Sequence, residues 1–205
     1  MTVINRYTTL PVLLDLLKRK RLVLLDPTSW EDKNDSAIMA EYKKRKNVEK
    51  LFALCFSFGD ETIHHWRTFA PGISGCCIAF SPTELIELLK TVKGVRFGSV
   101  EYRKLNDVRE DTIEIDKIPF TKRWPYRCEE EFRIIWEGTT DKQCFEIEFD
   151  LAMIRRITIS QQMPQPVYVT IRDYLQKACD DPEKRINRST LYQNDIWIGK
   201  FQRAK

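Results

Sequence analysis

Three consecutive carboxylates, Glu129, Glu130 and Glu131, stand at the entrance to the apolar run Phe132-Arg133-Ile134-Ile135-Trp136. Whatever fold this chain adopts must meet those charges with water, cations or chemistry while it buries the run behind them. The two-residue period of a strand puts Glu129, Glu131 and Arg133 on one face and Glu130, Phe132 and Ile134 on the other. Like charges two residues apart on one face repel unless something wet, cationic or reactive faces them. Ahead of them, Lys122-Arg123-Trp124-Pro125-Tyr126-Arg127-Cys128 forms an aromatic and basic approach. The stretch is the first candidate for an active site. The competing reading is a solvated edge strand in which Arg133 neutralises its neighbours.

The remaining pattern predicts an α+β protein. Phe52, Leu54, Phe56 and Phe58 alternate with Ala53, Cys55 and Ser57, which predicts a strand over 51–58. Further strands are expected at 3–8, 22–25, 76–80, 95–102, 131–136, 143–149 and 154–159, with 188–191 and 196–198 closing the set. Helices are expected from Leu10, with Pro11 in its first turn; through Met39 and Tyr42; after Asp60, where His64, His65 and Trp66 lie; from Pro82 to Leu89; and over 167–179. The charged stretch 104–119 reads as a loop or a loosely held helix. Late consecutive strands and the mixed order argue for a single domain over 1–205, with a mixed, mostly antiparallel sheet and about four helices, rather than a doubly wound parallel sheet.

Several classes of function are disfavoured. There is no G-x-x-x-x-G-K-[ST] phosphate loop, no G-x-S-x-G elbow and no G-x-G-x-x-G. The two histidines, His64 and His65, are adjacent, so a helix turns them about 100° apart and they form no i, i+4 metal pair; no metal is expected. His65 is a candidate acid or base, with packing or capping as its plainer role. Six cysteines without a C-x-x-C pair argue against disulfides and structural zinc. No window approaches eighteen uninterrupted apolar residues, so a cytoplasmic protein without a membrane segment is expected. The net charge of +4, from 34 basic and 30 acidic residues, permits nucleic acid as a partner without arguing for it. The run Lys43-Lys44-Arg45-Lys46 reads first as a solvated helix end.

The chain resembles a widespread bacterial domain-of-unknown-function family. The resemblance is carried by Arg6-Tyr7-Thr8, the Leu10–Leu17 helix, Leu22 to Pro27, Ser57-Phe58, Trp66, Phe69-Ala70, Gly75-Cys76-Cys77-Ile78, and Trp124 with Glu129-x-Glu131-x-Arg133. The chain departs from the family pattern at Trp30-Glu31-Asp32-Lys33, and two extra residues lie between Trp124 and Glu129. That family is similar at a distance to the ADP-ribosyltransferase architecture, and some members lie near phage-defence or toxin-like genes. The resemblance implies NAD as cosubstrate, with Glu131, Glu129 and Arg6 catalytic. It implies that Arg6, Tyr7, Thr8, Trp66, Phe69, Tyr126 and Arg133 lie on the cofactor side. The partners implied are a nucleotide ligand and a protein or nucleic-acid acceptor.

Breaking the bond from nicotinamide to ribose builds positive charge on the sugar carbon, and a carboxylate beneath it favours the transition state over the neutral substrate. Glu131 is the expected carboxylate, and Glu129 the group that orients or deprotonates the acceptor. Arg6 would hold a diphosphate, and Tyr7, Tyr126 or Trp66 would stack on a ring or else fill the core. Two other readings remain open: a regulatory module that binds a ligand without turnover, and a nucleic-acid-processing enzyme using Lys43–Lys46 and Lys122-Arg123 beside Trp124 and Tyr126.

Overall fold

The computed structural model describes residues 3–179, 181 and 183–202. In chain order the strands are β1 (Ile4–Thr9), β2 (Arg21–Leu25), β3 (Lys50–Ser57), β4 (Gly75–Phe80), β5 (Val95–Ser99), β6 (Glu101–Arg103), β7 (Thr121–Arg123), β8 (Glu131–Gly138), β9 (Cys144–Glu148), β10 (Ile154–Ile159) and β11 (Ile186–Arg188). The α-helices are α1 (Leu10–Arg19), α2 (Lys33–Arg45), α3 (Ile63–Phe69), α4 (Pro82–Thr91), α5 (Leu105–Glu110), α6 (Gln165–Ala178) and α7 (Asp195–Gln202). The class is α+β, as expected, with more helices than the four anticipated. The described residues cluster into two compact units.

The first unit holds Lys20–Gly59 and Ser81–Met153. Its sheet runs β5-β8-β3-β2-β9, every neighbouring pair antiparallel. Strand β8 is flanked on both sides. Its register with β3 runs from Lys50↔Gly138 to Ser57↔Glu131, and β5 sets Gly98 against Arg133. Alternation therefore gathers Glu131, Arg133, Ile135 and Glu137 on one face with Cys55, Ala53 and Leu51 of β3. Helix α2 covers that face. Met39, Tyr42, Leu51, Ala53 and Ile135 make its core, with Trp30, Ile118 and Phe120 packed against them.

On the opposite face, Trp136 stacks between Phe52, at 5.9 Å, and Phe145, at 4.4 Å, and its indole N–H donates to the Lys93 carbonyl over 3.2 Å. Gly94 turns the chain beneath that indole at φ +80°, where a Cβ would stand 2.8 Å from the Glu137 carbonyl oxygen and 3.0 Å from the indole nitrogen. Only glycine meets both demands without strain.

The second unit holds Asn5–Arg19, Asp60–Phe80 and the chain from Ile154 on. Its strands run β11-β10-β4-β1, with β10 parallel to β11 and antiparallel to β4. All six residues of β4 are buried. Helix α1 packs on β4 and buries Leu13, Leu16 and Leu17. A Cβ on Gly75 would fall 1.9 Å from the Ala70 carbonyl oxygen, so the chain can pass from α3 into β4 this closely only with glycine.

Four local expectations change. The strand expected over 95–102 breaks at Val100, whose N–H bonds the Glu131 carbonyl, into β5 and β6. The stretch 104–119 is not loose throughout: after α5, a 3₁₀ segment over Ile115–Phe120 buries Pro119 and lays Ile118 and Phe120 on the core. The first expected closing strand lies earlier, at β11. The second is helix α7, because the Asn194 side chain accepts the Trp197 N–H over 2.9 Å and caps a helix start.

Substituting Gly94→Ala is expected to lower stability by about 1–3 kcal/mol through strain at positive φ. Thermal melts of the variant beside the parent protein check this, and an unchanged midpoint contradicts the strained turn.

Candidate active site

The predicted carboxylates come together in the first unit, at the start of β8. The chain arrives through a 3₁₀ turn over Trp124–Glu129, so Glu129 ends that turn rather than opening the strand, and β8 begins at Glu131. Between them Glu130 is left-handed, at φ +41°, and exposed. This kink replaces the uninterrupted alternation expected from 129 onward. Backbone bonds hold it: the Phe58 N–H donates to the Glu130 carbonyl over 3.0 Å, and the Ser57 hydroxyl donates to the Glu129 carbonyl over 2.6 Å. Both Glu129 and Glu131 are buried, at 4% and 5% exposure, which excludes the solvated edge strand.

Their counter-charges are Arg133 and Lys122. The Arg133 guanidinium is 0% exposed. Its Nε donates to Glu131 Oε1 over 2.7 Å, and its terminal nitrogens grip Asp35 at 3.0 and 2.6 Å. Nη1 also donates to the Pro119 carbonyl over 2.8 Å, and the Trp30 ring lies 4.9 Å from the guanidinium carbon. Lys122 Nζ donates to Glu129 Oε2 over 2.6 Å and, less closely, to Glu131 Oε2 over 3.3 Å. The ring of Tyr126 lies 4.8 Å from the same ammonium, and its hydroxyl bonds Asp32. The parallel ribbon of β6 and β7 places Tyr102 beside Lys122, and the Tyr102 hydroxyl accepts the Glu131 N–H over 2.8 Å.

The site thus holds three carboxylates, Asp35, Glu129 and Glu131, against two cations. Burial by itself would raise the Glu131 carboxyl, but Arg133 and Lys122 outweigh it and hold the group down to about 2. Burial pushes Asp35 up by more than Arg133 draws it down. Burial works against the Lys122 ammonium too, yet Glu131 and Glu129 keep it charged well beyond the ordinary lysine range. Arg133, expected on the cofactor side, is enclosed and orients carboxylates instead. Asp35, Tyr102 and Ser57 were missed from sequence. The available signal was the loop before α2, where Asp32 caps α2 by accepting the Asn34 N–H over 3.0 Å and Trp30 covers Arg133.

The other predicted residues belong to the second unit. Alternation along β1 sends Arg6 and Tyr7 to opposite faces: Tyr7 hydrogen bonds Cys77, while the charge of Arg6 is felt at Cys76. Arg6, Tyr7 and Thr8 therefore cannot all line one surface. Tyr7 stacks on His65 at 4.6 Å and meets the edge of Trp66 at 5.9 Å, so its ring is already packed. His65 is buried, its Nδ1 2.9 Å from the Thr62 hydroxyl that caps α3, and it acts in packing and capping. Trp66 Nε1 donates to Glu61 over 2.6 Å, and the Ser189 hydroxyl donates to the same carboxylate oxygen. Phe69 is exposed, 6.0 Å from His64 and 6.4 Å from His65. Arg156 was not foreseen: its buried Nε has no hydrogen-bond partner among the described residues, and its charge reaches Tyr7 and Cys77.

No protein-family profile and no curated protein sequence matches the chain significantly. Among solved structures it is similar to Thermus sp. 2.9 DarT in complex with ADP-ribosylated ssDNA, at 11% identity and a TM-score of 0.47, covering 94% of this chain and 96% of that one. It is similar to the same protein in complex with carba-NAD+, at 11% identity and a TM-score of 0.45, covering 94% and 98%. The corresponding values for the NAD+ complex are 11%, 0.44, 94% and 98%.

The ionised state of Glu131 yields a pH-linked prediction. Its carboxyl moves from 4.5 to about 2 on folding, so its contribution is complete above pH 4.5 and is lost as pH falls toward 2. Replacing Glu131→Gln strands Arg133 and Lys122 and is expected to cost roughly 3–5 kcal/mol at pH 7. In urea titrations the gap between the two proteins should narrow from pH 4.5 down to 2. Parallel pH profiles contradict this assignment.

Proposed function

We infer that the chain is an ADP-ribosyltransferase-like enzyme that uses NAD, with Glu131 as the carboxylate serving the reaction. The observation that carries this reading is a buried cluster with one more carboxylate than cation, in which Glu131 is held ionised. Well-packed apolar side chains would serve stability as well as or better than buried ion pairs. Charge kept at this cost is explained by chemistry that needs a negative group where positive charge develops. The sequence resemblance supports the same reading, and the setting it implies is phage defence or a toxin system.

The two oxygens of Glu131 are held unequally. Oε1 is pinned by Arg133 at 2.7 Å, whereas Oε2 has Lys122 at 3.3 Å, an ammonium that lies closer to Glu129 at 2.6 Å. Oε2 is the oxygen left to face an electron-poor sugar carbon. Arg133 fixes the carboxylate and Tyr102 the Glu131 backbone before the reaction, so little reorganisation accompanies it. Lys122 holds the Glu129 carboxylate over 2.6 Å, and in this reading Glu129 takes the acceptor proton. NAD, when bound, supplies an ADP-ribosyl group on a good leaving group.

A second reading, ligand binding without turnover, is favoured by one observation: both Glu131 oxygens already have cationic partners.

The test uses labelled NAD and cell extract with the parent protein, Glu131→Gln and Glu131→Asp, each checked for folding by circular dichroism. Nicotinamide release and label transfer should fall roughly 100-fold or more in folded Glu131→Gln. Equal turnover in a folded variant overturns the role of Glu131. A rise in melting temperature with NAD but no nicotinamide release selects the binding reading.

A further inference from the structure

Immediately before the carboxylate site, the 3₁₀ turn presents a surface that the proposed chemistry does not use. Trp124 is 41% exposed although it is among the largest apolar side chains. Two cations flank its ring: Lys104 Nζ lies 5.3 Å from the ring centroid and the Arg127 guanidinium carbon 5.0 Å from it. Neither cation is neutralised, for among the described residues neither enters a salt bridge, whereas nearby Arg103 is paired with both Glu101 and Asp111. Arg123, next to Trp124, has a buried Nε without a hydrogen-bond partner among the described residues. Lys122, by contrast, is buried and committed to Glu129 and Glu131, so it takes no part in this surface.

An exposed indole between two unpaired cations is matched by a partner that carries flat rings and regularly spaced negative charge. We propose that Trp124, Lys104 and Arg127 form a docking site for single-stranded nucleic acid, with a base stacked on Trp124 and flanking phosphates held by Lys104 and Arg127. A duplex does not fit this chemistry, because its bases are stacked on each other and only phosphates are presented. Six residues of 3₁₀ helix at about 2 Å rise each place Trp124 roughly 10 Å from Glu129. A strand docked here would therefore lie within one or two nucleotides of the carboxylates. As a binding site the surface stands by itself. As the acceptor site it rests on the transferase reading above.

The test is fluorescence anisotropy of labelled oligo-dT, oligo-U and a duplex of equal length, without NAD, so that failure of catalysis does not affect the result. Either single strand should bind at low salt and the duplex more weakly, and the comparison of dT with U ranks the two strands. Trp124→Ala should weaken single-strand binding about 5- to 100-fold with its salt dependence unchanged, and Trp124→Phe should recover part of the loss. The double variant Lys104→Ala, Arg127→Ala should reduce the slope of log affinity against log salt by about 1.4. These side chains are exposed, and circular dichroism verifies that the variants stay folded. No single-strand binding by the parent protein, a preference for duplex, or equal affinity of Trp124→Ala overturns the proposal.

Discussion

Arg133 is a guanidinium at the centre of a sheet, with no exposed surface and an antiparallel strand on either side. An arginine cannot discard its proton, so a site that encloses one must supply acceptors for it. Asp35, Glu131 and the Pro119 carbonyl do so, and each comes from a different part of the first unit. Asp35 ties down the first turn of α2, Pro119 the 3₁₀ segment, and Glu131 the entrance to the same strand. Much of the covering layer on that face is thus positioned by the need to satisfy one side chain. The apolar contacts of Met39, Tyr42, Ile118 and Phe120 then complete the layer.

Meeting Arg133 with two carboxylates creates the next constraint. Glu129 adds a third acid, and Lys122 is drawn into the interior to serve it. The ribbon of β6 and β7 exists in part to carry that lysine and Tyr102 to the same point. The outcome is a site whose charges are arranged before any ligand arrives, with Glu131 held rigidly through one oxygen and loosely through the other. Such pre-arrangement is what electrostatic catalysis requires, and it is poorly explained by stability, which apolar packing supplies more cheaply.

Pattern-level features of the sequence translated well. The strand over 51–58 appears at Lys50–Ser57, and the run Cys76 to Phe80 lies in the fully buried β4. Glu129, Glu131 and Arg133 do come together, but not by the expected alternation: Glu131 and Arg133 share a strand face, and the left-handed turn at Glu130 brings Glu129 to them. Tyr126 lies against Lys122, and Tyr7 packs on Trp66. Less visible were residues whose importance depends on distant partners. Asp35 lies 98 positions from Arg133, and nothing in its own neighbourhood marks it for burial. Arg6 and Tyr7 looked alike as neighbours in a motif, yet strand alternation separates their faces. The closing segment at 196–198 looked like a strand because Ile196, Trp197 and Ile198 are β-prone, but a local asparagine cap turned it into a helix.

Local physics therefore settled where most strands run, where charge and aromatic residues concentrate, and which segment has to reconcile carboxylates with an apolar strand. Hydrophobic period and turn chemistry act over a few residues, so a sequence expresses them directly. Tertiary structure alone decided that those carboxylates are buried rather than solvated, that Lys122 and Asp35 complete their neutralisation, and that Trp124 remains outside with its two cations. Those outcomes depend on which distant chain segments reach the start of β8, and the cost of an unmatched buried charge makes that choice all or none.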